Sequence, residues 1–158
     1  QDARIKRHNQ LCELLVEEAK RKEWVVFQEP LLKDPQNELF KPDLIFVKGN
    51  QAIVVDVTVR YENKETSLAD AAMEKVRNYQ HLRSQVQELM NTSNIKFMGF
   101  PLGARRKSHH SNYELLAELG LSNSRQDKVA RRLSTRALFT SVDIVHVFVS
   151  QAQSIVRS

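Results

Sequence analysis

The chain has 158 residues, of which 41% are hydrophobic and 27% charged, and this balance predicts one globular domain over residues 1–158 with a buried core. No apolar run approaches the ~18 residues of a membrane-spanning helix, so we expect no membrane partner. Cys12 is the single cysteine, which excludes a disulfide or a cysteine-based zinc site within the chain and favours a reducing, intracellular setting. Because the first residue is Gln1, we expect a piece of a longer protein.

The net charge of +5 is concentrated in the last third of the chain. Between residues 101 and 136, eight basic residues stand against three acidic ones, and the rest of the chain is balanced. Such a segment predicts a polyanion-binding surface, the alternative being a solvated basic helix face. The eight basic residues are Arg105, Arg106, Lys107, Arg125, Lys128, Arg131, Arg132 and Arg136.

Hydrophobic periodicity and turn residues predict elements in the order α-β-β-β-α-β-α-α. This order indicates an α/β (α+β) domain, with a mixed central β-sheet flanked by helices and a helical C-terminal part. The predicted elements are a helix over 2–22, a strand over 24–30, a loop over 32–39, two strands within 41–59, a helix over 68–90, a strand over 95–100 ended by Pro101 and Gly103, a basic loop over 103–112, and helices over 113–119 and from about 124 onward.

The stretch KPDLIFVKGNQAIVVDVTV, residues 41–59, carries two aspartates in otherwise apolar strands. A two-residue Gly49-Asn50 turn between apolar runs predicts a β-hairpin. With that turn, the pairing register places Asp43 directly opposite Asp56 on one face of the sheet. Directly opposed like charges destabilise a sheet, so the pair predicts a functional site. The alternative is a longer loop with a shifted register that turns one aspartate to solvent.

Two arrangements would relieve the repulsion between the aspartates. One carboxyl group can keep a proton, as in acid–base dyads, or a divalent cation can sit between the two carboxylates. Hard oxygen ligands on a rigid hairpin suit Mg²⁺ or Mn²⁺.

Lys75 lies in the middle of the apolar stripe of the helix predicted over 68–90. Burying an unpaired ammonium group is costly, so we expect an anion beside it, the alternative being a lysine whose charged end reaches solvent. Tyr79 follows one turn later on the same face, either as a site residue or as a core tyrosine. In the first helix, Glu18 also falls among apolar positions and is a further candidate carboxylate.

Pro42-Asp43, Asp56 and a nearby lysine resemble the PD-(D/E)XK nuclease superfamily, whose usual lysine two residues after the second acid is replaced here by Thr58. Lys75 would be a lysine that has moved to the following helix. The segments RHNQL, KPDLI, VVDVTVRYEN, ADAAMEKVRNYQ, GFPLGAR and LSTRAL, in this order, resemble the restriction-like endonuclease domain of site-specific non-LTR retrotransposons. The segment RRKSHHSN (105–112) is where the resemblance is weakest.

The resemblance implies a C-terminal domain of a reverse-transcriptase polyprotein that nicks double-stranded target DNA in the nucleus, with element RNA bound through upstream domains. It implies that Asp43 and Asp56 hold one or two Mg²⁺ or Mn²⁺ ions and that Lys75 acts on the attacking water or the phosphate. The hydroxyl groups of Thr58 and Tyr79 would support the same site. The DNA track would comprise Arg105, Arg106, Lys107, Arg125, Lys128, Arg132 and Arg136.

Other functions are compatible with the same residues. A junction resolvase or repair nuclease of the same superfamily would share the aspartate pair, and a non-catalytic DNA-binding module would keep the fold without turnover. A protein-interaction domain would use the apolar run VDIVHVFV (142–149), which otherwise reads as core.

Overall fold

The computed structural model describes residues 3–60, 73–74, 76–103 and 110–136. Residues 73–74 and 76–79 are helical and lead into a 3₁₀ turn, Gln80–Leu82. The other described elements are α1 (Ala3–Arg21), β1 (Val25–Gln28), β2 (Leu32–Lys33), β3 (Leu39–Phe40), β4 (Leu44–Lys48), β5 (Gln51–Arg60), α2 (Arg83–Met90), β6 (Asn94–Gly103), α3 (His110–Glu118) and α4 (residues 123–136).

The described strands form a four-stranded mixed sheet in the order β1-β4-β5-β6. Strand β4 is antiparallel to β1 and β5, whereas β5 and β6 run parallel. A parallel pair needs a crossover connection, and the helical segment between β5 and β6 supplies it. The predicted α/β class with a mixed central sheet is confirmed.

Helices cover both faces of the sheet. On one face, α1, α3 and α4 share a core with alternate residues of β5, and this core contains Leu15, Val55, Leu116 and Leu133. On the other face, the 3₁₀ turn, α2 and the β2–β3 hairpin pack on the intervening positions, which include Val54. The strand alternation therefore directs the side chains of Asp56 and Thr58 towards the second face.

The predicted hairpin turn is confirmed. Gly49 has φ +58°, a conformation that glycine adopts without steric cost, and the β4–β5 register runs from Lys48 opposite Gln51 to Leu44 opposite Val55. Asn50 then ties the turn to the start of β6, because its Oδ1 accepts a hydrogen bond from the amide of Ser93 at 2.8 Å. This contact fixes the closed end of the hairpin, whereas the aspartates lie at its open end.

Two predicted boundaries were wrong. The segment 32–39, predicted as a loop, contributes to the β2–β3 hairpin, whose turn is closed by a 2.7 Å hydrogen bond from the Glu38 amide to Asp34 Oδ1. Strand β6 continues through Pro101 to Gly103 rather than ending at the proline. It is an edge strand of the described sheet, where a missing N–H need not interrupt the ladder.

The helix predicted over 68–90 is interrupted where it is described. The 3₁₀ turn separates the helical residues before it from α2. In a 3₁₀ turn, residues three apart lie on the same side. Tyr79 and Leu82 therefore both pack into the core on the second face of the sheet. The tighter turn therefore keeps Tyr79 on the sheet side of this segment.

Candidate active site

Asp43 and Asp56 lie at the open end of the β4–β5 hairpin, one step beyond the last paired residues of β4. The amide nitrogen of Asp43 donates to Oδ1 of Asp56 at 3.1 Å. In return, Oδ2 of Asp43 accepts a 2.7 Å hydrogen bond from the amide of Val57. The two carboxylates are therefore oriented by the backbone of the opposite strand. The structure brings together the pair that the hairpin register predicted.

Both carboxylates are shielded from solvent. Asp56 is 5% exposed, and the side chain of Asp43 is 16% exposed. Burial alone would raise the pKa of Asp43, but the hydrogen bond and the positive charge of His8 outweigh it and lower that pKa below its usual value. Asp43 is therefore ionised at neutral pH beside a second buried acid.

His8 is a site residue that sequence reasoning missed. It lies on α1, and its Nε2 is 3.2 Å from Asp43 Oδ2 and 3.2 Å from the carbonyl oxygen of Val57. Its Nδ1 lies 3.9 Å from Sγ of Cys12, one helical turn further along. The hydrogen bond to Asp43 and the contact with Cys12 raise the pKa of His8 to about 11. The signal was available, because His8 precedes the buried Leu11 and Leu15 at i+3 and i+7 spacing.

Tyr79 joins the site from the second face of the sheet. Burial, followed by the negative charges of Asp56 and Asp43 and a hydrogen bond to Asp56, raises the pKa of Tyr79. Its ring also packs edge-on against Phe40 of β3, with 6.2 Å between ring centroids. Tyr79 is therefore a neutral hydroxyl group at the aspartate pair.

Thr58 follows Asp56 by two residues and points to the same face of β5. It is 6% exposed, and its Oγ1 has no hydrogen-bond partner within the residues that the structure describes. A buried hydroxyl group without a partner is uncommon in folded proteins. The hydroxyl group of Thr58 therefore lies beside the site and can still donate and accept hydrogen bonds.

Glu18 does not join the aspartates. It lies on α1 ten residues beyond His8, which is about 15 Å along a helix. Its carboxylate binds Arg125 of α4 through Nε at 3.2 Å and Nη2 at 2.5 Å, and it also contacts Arg21 at 3.3 Å. The predicted inward orientation of Glu18 is confirmed, but its partner is a structural arginine rather than a catalytic centre.

The basic residues of α4 divide into two groups. Lys128, Arg132 and Arg136 are exposed, as expected of a nucleic-acid track, and Arg131 is exposed beside them. Arg125 is held against α1 by Glu18, and this ion pair raises its pKa. Lys75, Arg105, Arg106 and Lys107 lie outside the described residues, as does the run 142–149.

The donor atoms at the hairpin end fit a divalent cation that binds oxygen. Within the described ranges, no three His, Cys, Asp or Glu side chains form a ready-made metal cluster. The site instead offers two adjacent carboxylates and the carbonyl oxygen of Val57. Mg²⁺ and Mn²⁺ accept such sets because water completes their coordination. A cleft of about 140 Å³, lined in part by His8, Cys12 and Asp43, gives solvent access to this end.

The chain is similar to retrovirus-related Pol polyproteins of the type-1 retrotransposable element R2 from Popillia japonica. One is 30% identical over 126 residues, which are 78% of this chain and 18% of that polyprotein. A second is 28% identical over 127 residues, covering 79% of the chain and 26% of that sequence. A third is 38% identical over 60 residues, 37% of the chain and 10% of its length.

The chain therefore has homologues among the Pol polyproteins of a non-LTR retrotransposon and spans about a fifth of the length of the first of them. No protein-family model matches the sequence. None of the helices in the described part of the chain is long and apolar enough to cross a membrane.

Proposed function

We propose that this chain is a metal-dependent endonuclease that nicks double-stranded DNA by phosphodiester hydrolysis, and that the nick primes retrotransposon integration. The observation that carries the proposal is the reciprocal backbone clamp on Asp43 and Asp56, which keeps two acids together in a shielded site. Two neighbouring acids favour positive charge beside them; His8 supplies one such charge, and a divalent cation would supply another. Homology to Pol polyproteins of the element R2 supports a role in retrotransposition.

The proposed cofactor is Mg²⁺ or Mn²⁺, held by Asp43 and Asp56. When bound, such an ion neutralises phosphate charge and lowers the pKa of water. The chain contributes the positions of the reacting groups. Tyr79 donates a hydrogen bond to Asp56, and Thr58 Oγ1 is placed to orient a water molecule or a phosphate oxygen. Lys75, which we expect on the helix that precedes the 3₁₀ turn, would offset charge developing on the phosphate.

The proposed DNA surface is the exposed side of α4. Lys128, Arg132 and Arg136 are spaced four residues apart, so they lie along one side of the helix. Contacts of this kind with phosphates give affinity and position but little sequence specificity. We therefore propose that the chain acts on target DNA in the nucleus. Domains upstream of it would select the target and bind the RNA of the element.

Nicking of supercoiled plasmid tests the proposal. Wild type is compared with Asp56→Asn and with Asp127→Asn, which changes an exposed acid of α4, in Mg²⁺, Mn²⁺ or EDTA. We expect metal-dependent nicking that falls at least about 100-fold in Asp56→Asn and persists in Asp127→Asn. If wild type binds DNA but never nicks it, the chain is a DNA-binding module. Selective cutting of branched DNA would instead indicate a junction-resolving nuclease.

A further inference from the structure

One nitrogen atom of α1 reaches two oxygen atoms of the hairpin. Nε2 of His8 lies 3.2 Å from Asp43 Oδ2 and 3.2 Å from the carbonyl oxygen of Val57. Because a carbonyl oxygen only accepts hydrogen bonds, a proton on Nε2 joins the three atoms. Imidazole nitrogen, carboxylate oxygen and carbonyl oxygen are also three of the atoms by which proteins bind divalent cations.

The two distances from Nε2 are close to the edge length of a coordination octahedron. In an octahedral site with bonds of about 2.1 Å, neighbouring ligand atoms lie about 3.0 Å apart. The two distances from Nε2 exceed this value by about 0.2 Å. Small movements of the His8 and Asp43 side chains would let a cation replace the bridging proton.

The surroundings of the His8 ring suit a metal ligand. When Nε2 binds a cation, the remaining proton of a neutral imidazole lies on Nδ1 and needs an acceptor. Sγ of Cys12 lies 3.9 Å from Nδ1 and is a weak acceptor. The i, i+4 spacing on α1 holds both side chains on one face.

We propose that Nε2 of His8 is a direct ligand of the site's divalent cation, together with Oδ2 of Asp43 and the carbonyl oxygen of Val57. This inference rests on the proposed metal-dependent function and adds His8 and the Val57 carbonyl to the Asp43 and Asp56 carboxylates proposed there. A nitrogen ligand shifts selectivity from Mg²⁺ towards transition-metal ions. The site therefore binds Mn²⁺ and Co²⁺ more tightly, relative to Mg²⁺, than an all-oxygen site would.

Pulsed electron paramagnetic resonance of the Mn²⁺-loaded chain tests this ligand directly. Coupling of the bound Mn²⁺ to an imidazole nitrogen is expected in wild type and absent in His8→Gln. The matched control is His81→Gln, which removes an exposed imidazole that packs on Phe40, and it should keep the coupling. A parallel titration of free Mn²⁺ should show at least about a 10-fold loss of affinity in His8→Gln.

The outcomes separate this proposal from the nuclease function. If wild type binds Mn²⁺ and nicks DNA but shows no nitrogen coupling, His8 is not a ligand and the nuclease assignment stands. If wild type binds no Mn²⁺, both proposals fail. Should His8→Gln not fold, His8→Asp serves in its place. It should bind Mn²⁺ without nitrogen coupling and with a smaller preference for Mn²⁺ over Mg²⁺, and coupling retained in it would overturn the assignment.

Discussion

The amide nitrogen of Asp43 and the carboxylate of Asp56 are joined by a 3.1 Å hydrogen bond across the open end of the β4–β5 hairpin. The two acidic side chains are thereby held at the end of one rigid hairpin. The divalent cation proposed above would bind at these carboxylates and so stabilise this end of the hairpin. The stability of the chain should consequently depend on divalent metal.

Asp56→Asn should abolish metal-dependent stabilisation. The Asn side chain keeps an oxygen for the Asp43 amide but removes one charge, so metal-free stability should stay equal or rise. Wild type at a Mg²⁺ or Mn²⁺ concentration of ten times Kd should gain about 1.4 kcal/mol, which is roughly 3–5 °C for a chain of this size. Thermal unfolding with metal and with EDTA measures both effects. If metal raised the unfolding temperature of the variant as much as that of wild type, Asp56 would not be a metal ligand.

Glu18→Gln should weaken the fold and leave the proposed nicking activity intact. The substitution leaves Arg125 without its carboxylate, and we expect a loss of about 1–3 kcal/mol, because Glu18 is buried whereas Arg125 is partly solvated. Glu17→Gln changes an exposed neighbour and is the matched control. Urea unfolding measures the difference. If Glu18→Gln had normal stability but no longer nicked DNA, Glu18 would have to be assigned to the catalytic centre.

Some parts of the site could be predicted from the sequence because they depend on local chemistry. The Gly49-Asn50 turn fixes the register of its two strands, and the register fixes the neighbours of Asp43. The position of Tyr79 near the site was likewise predicted from helical spacing.

The parts that were missed depend on packing between distant segments. His8 is 35 residues from Asp43, and Glu18 is 107 residues from Arg125. No periodicity connects such positions. The sequence therefore predicted which side of α1 is buried, but not which residues that side contacts. The two-residue strands β2 and β3 are too short to show the alternation that reveals a strand.

Gly49→Ala should destabilise the hairpin through the backbone alone. An added Cβ at Gly49 meets no other atom within 4 Å, but the positive φ costs about 1–2 kcal/mol for a residue with a side chain. Gly49→Asn should cost less, because asparagine tolerates this conformation. Urea denaturation should give a lower midpoint and an unchanged m-value for Gly49→Ala. Equal stabilities of the two variants would show that the turn relaxes to another conformation.

Paired removal of Lys128 and Arg132 should weaken DNA binding and flatten its salt dependence. Each phosphate contact contributes about 0.9 to the slope of log K against log salt, so Lys128→Ala/Arg132→Ala should lower the slope by about 2. The matched control is Lys22→Ala/Lys48→Ala, which removes two exposed charges near the closed end of the hairpin, away from Asp43. Fluorescence anisotropy with a DNA duplex at several salt concentrations measures both slopes. If the control lowers the slope as much as the α4 variant, the charge of the whole chain governs binding, and α4 is not the DNA track.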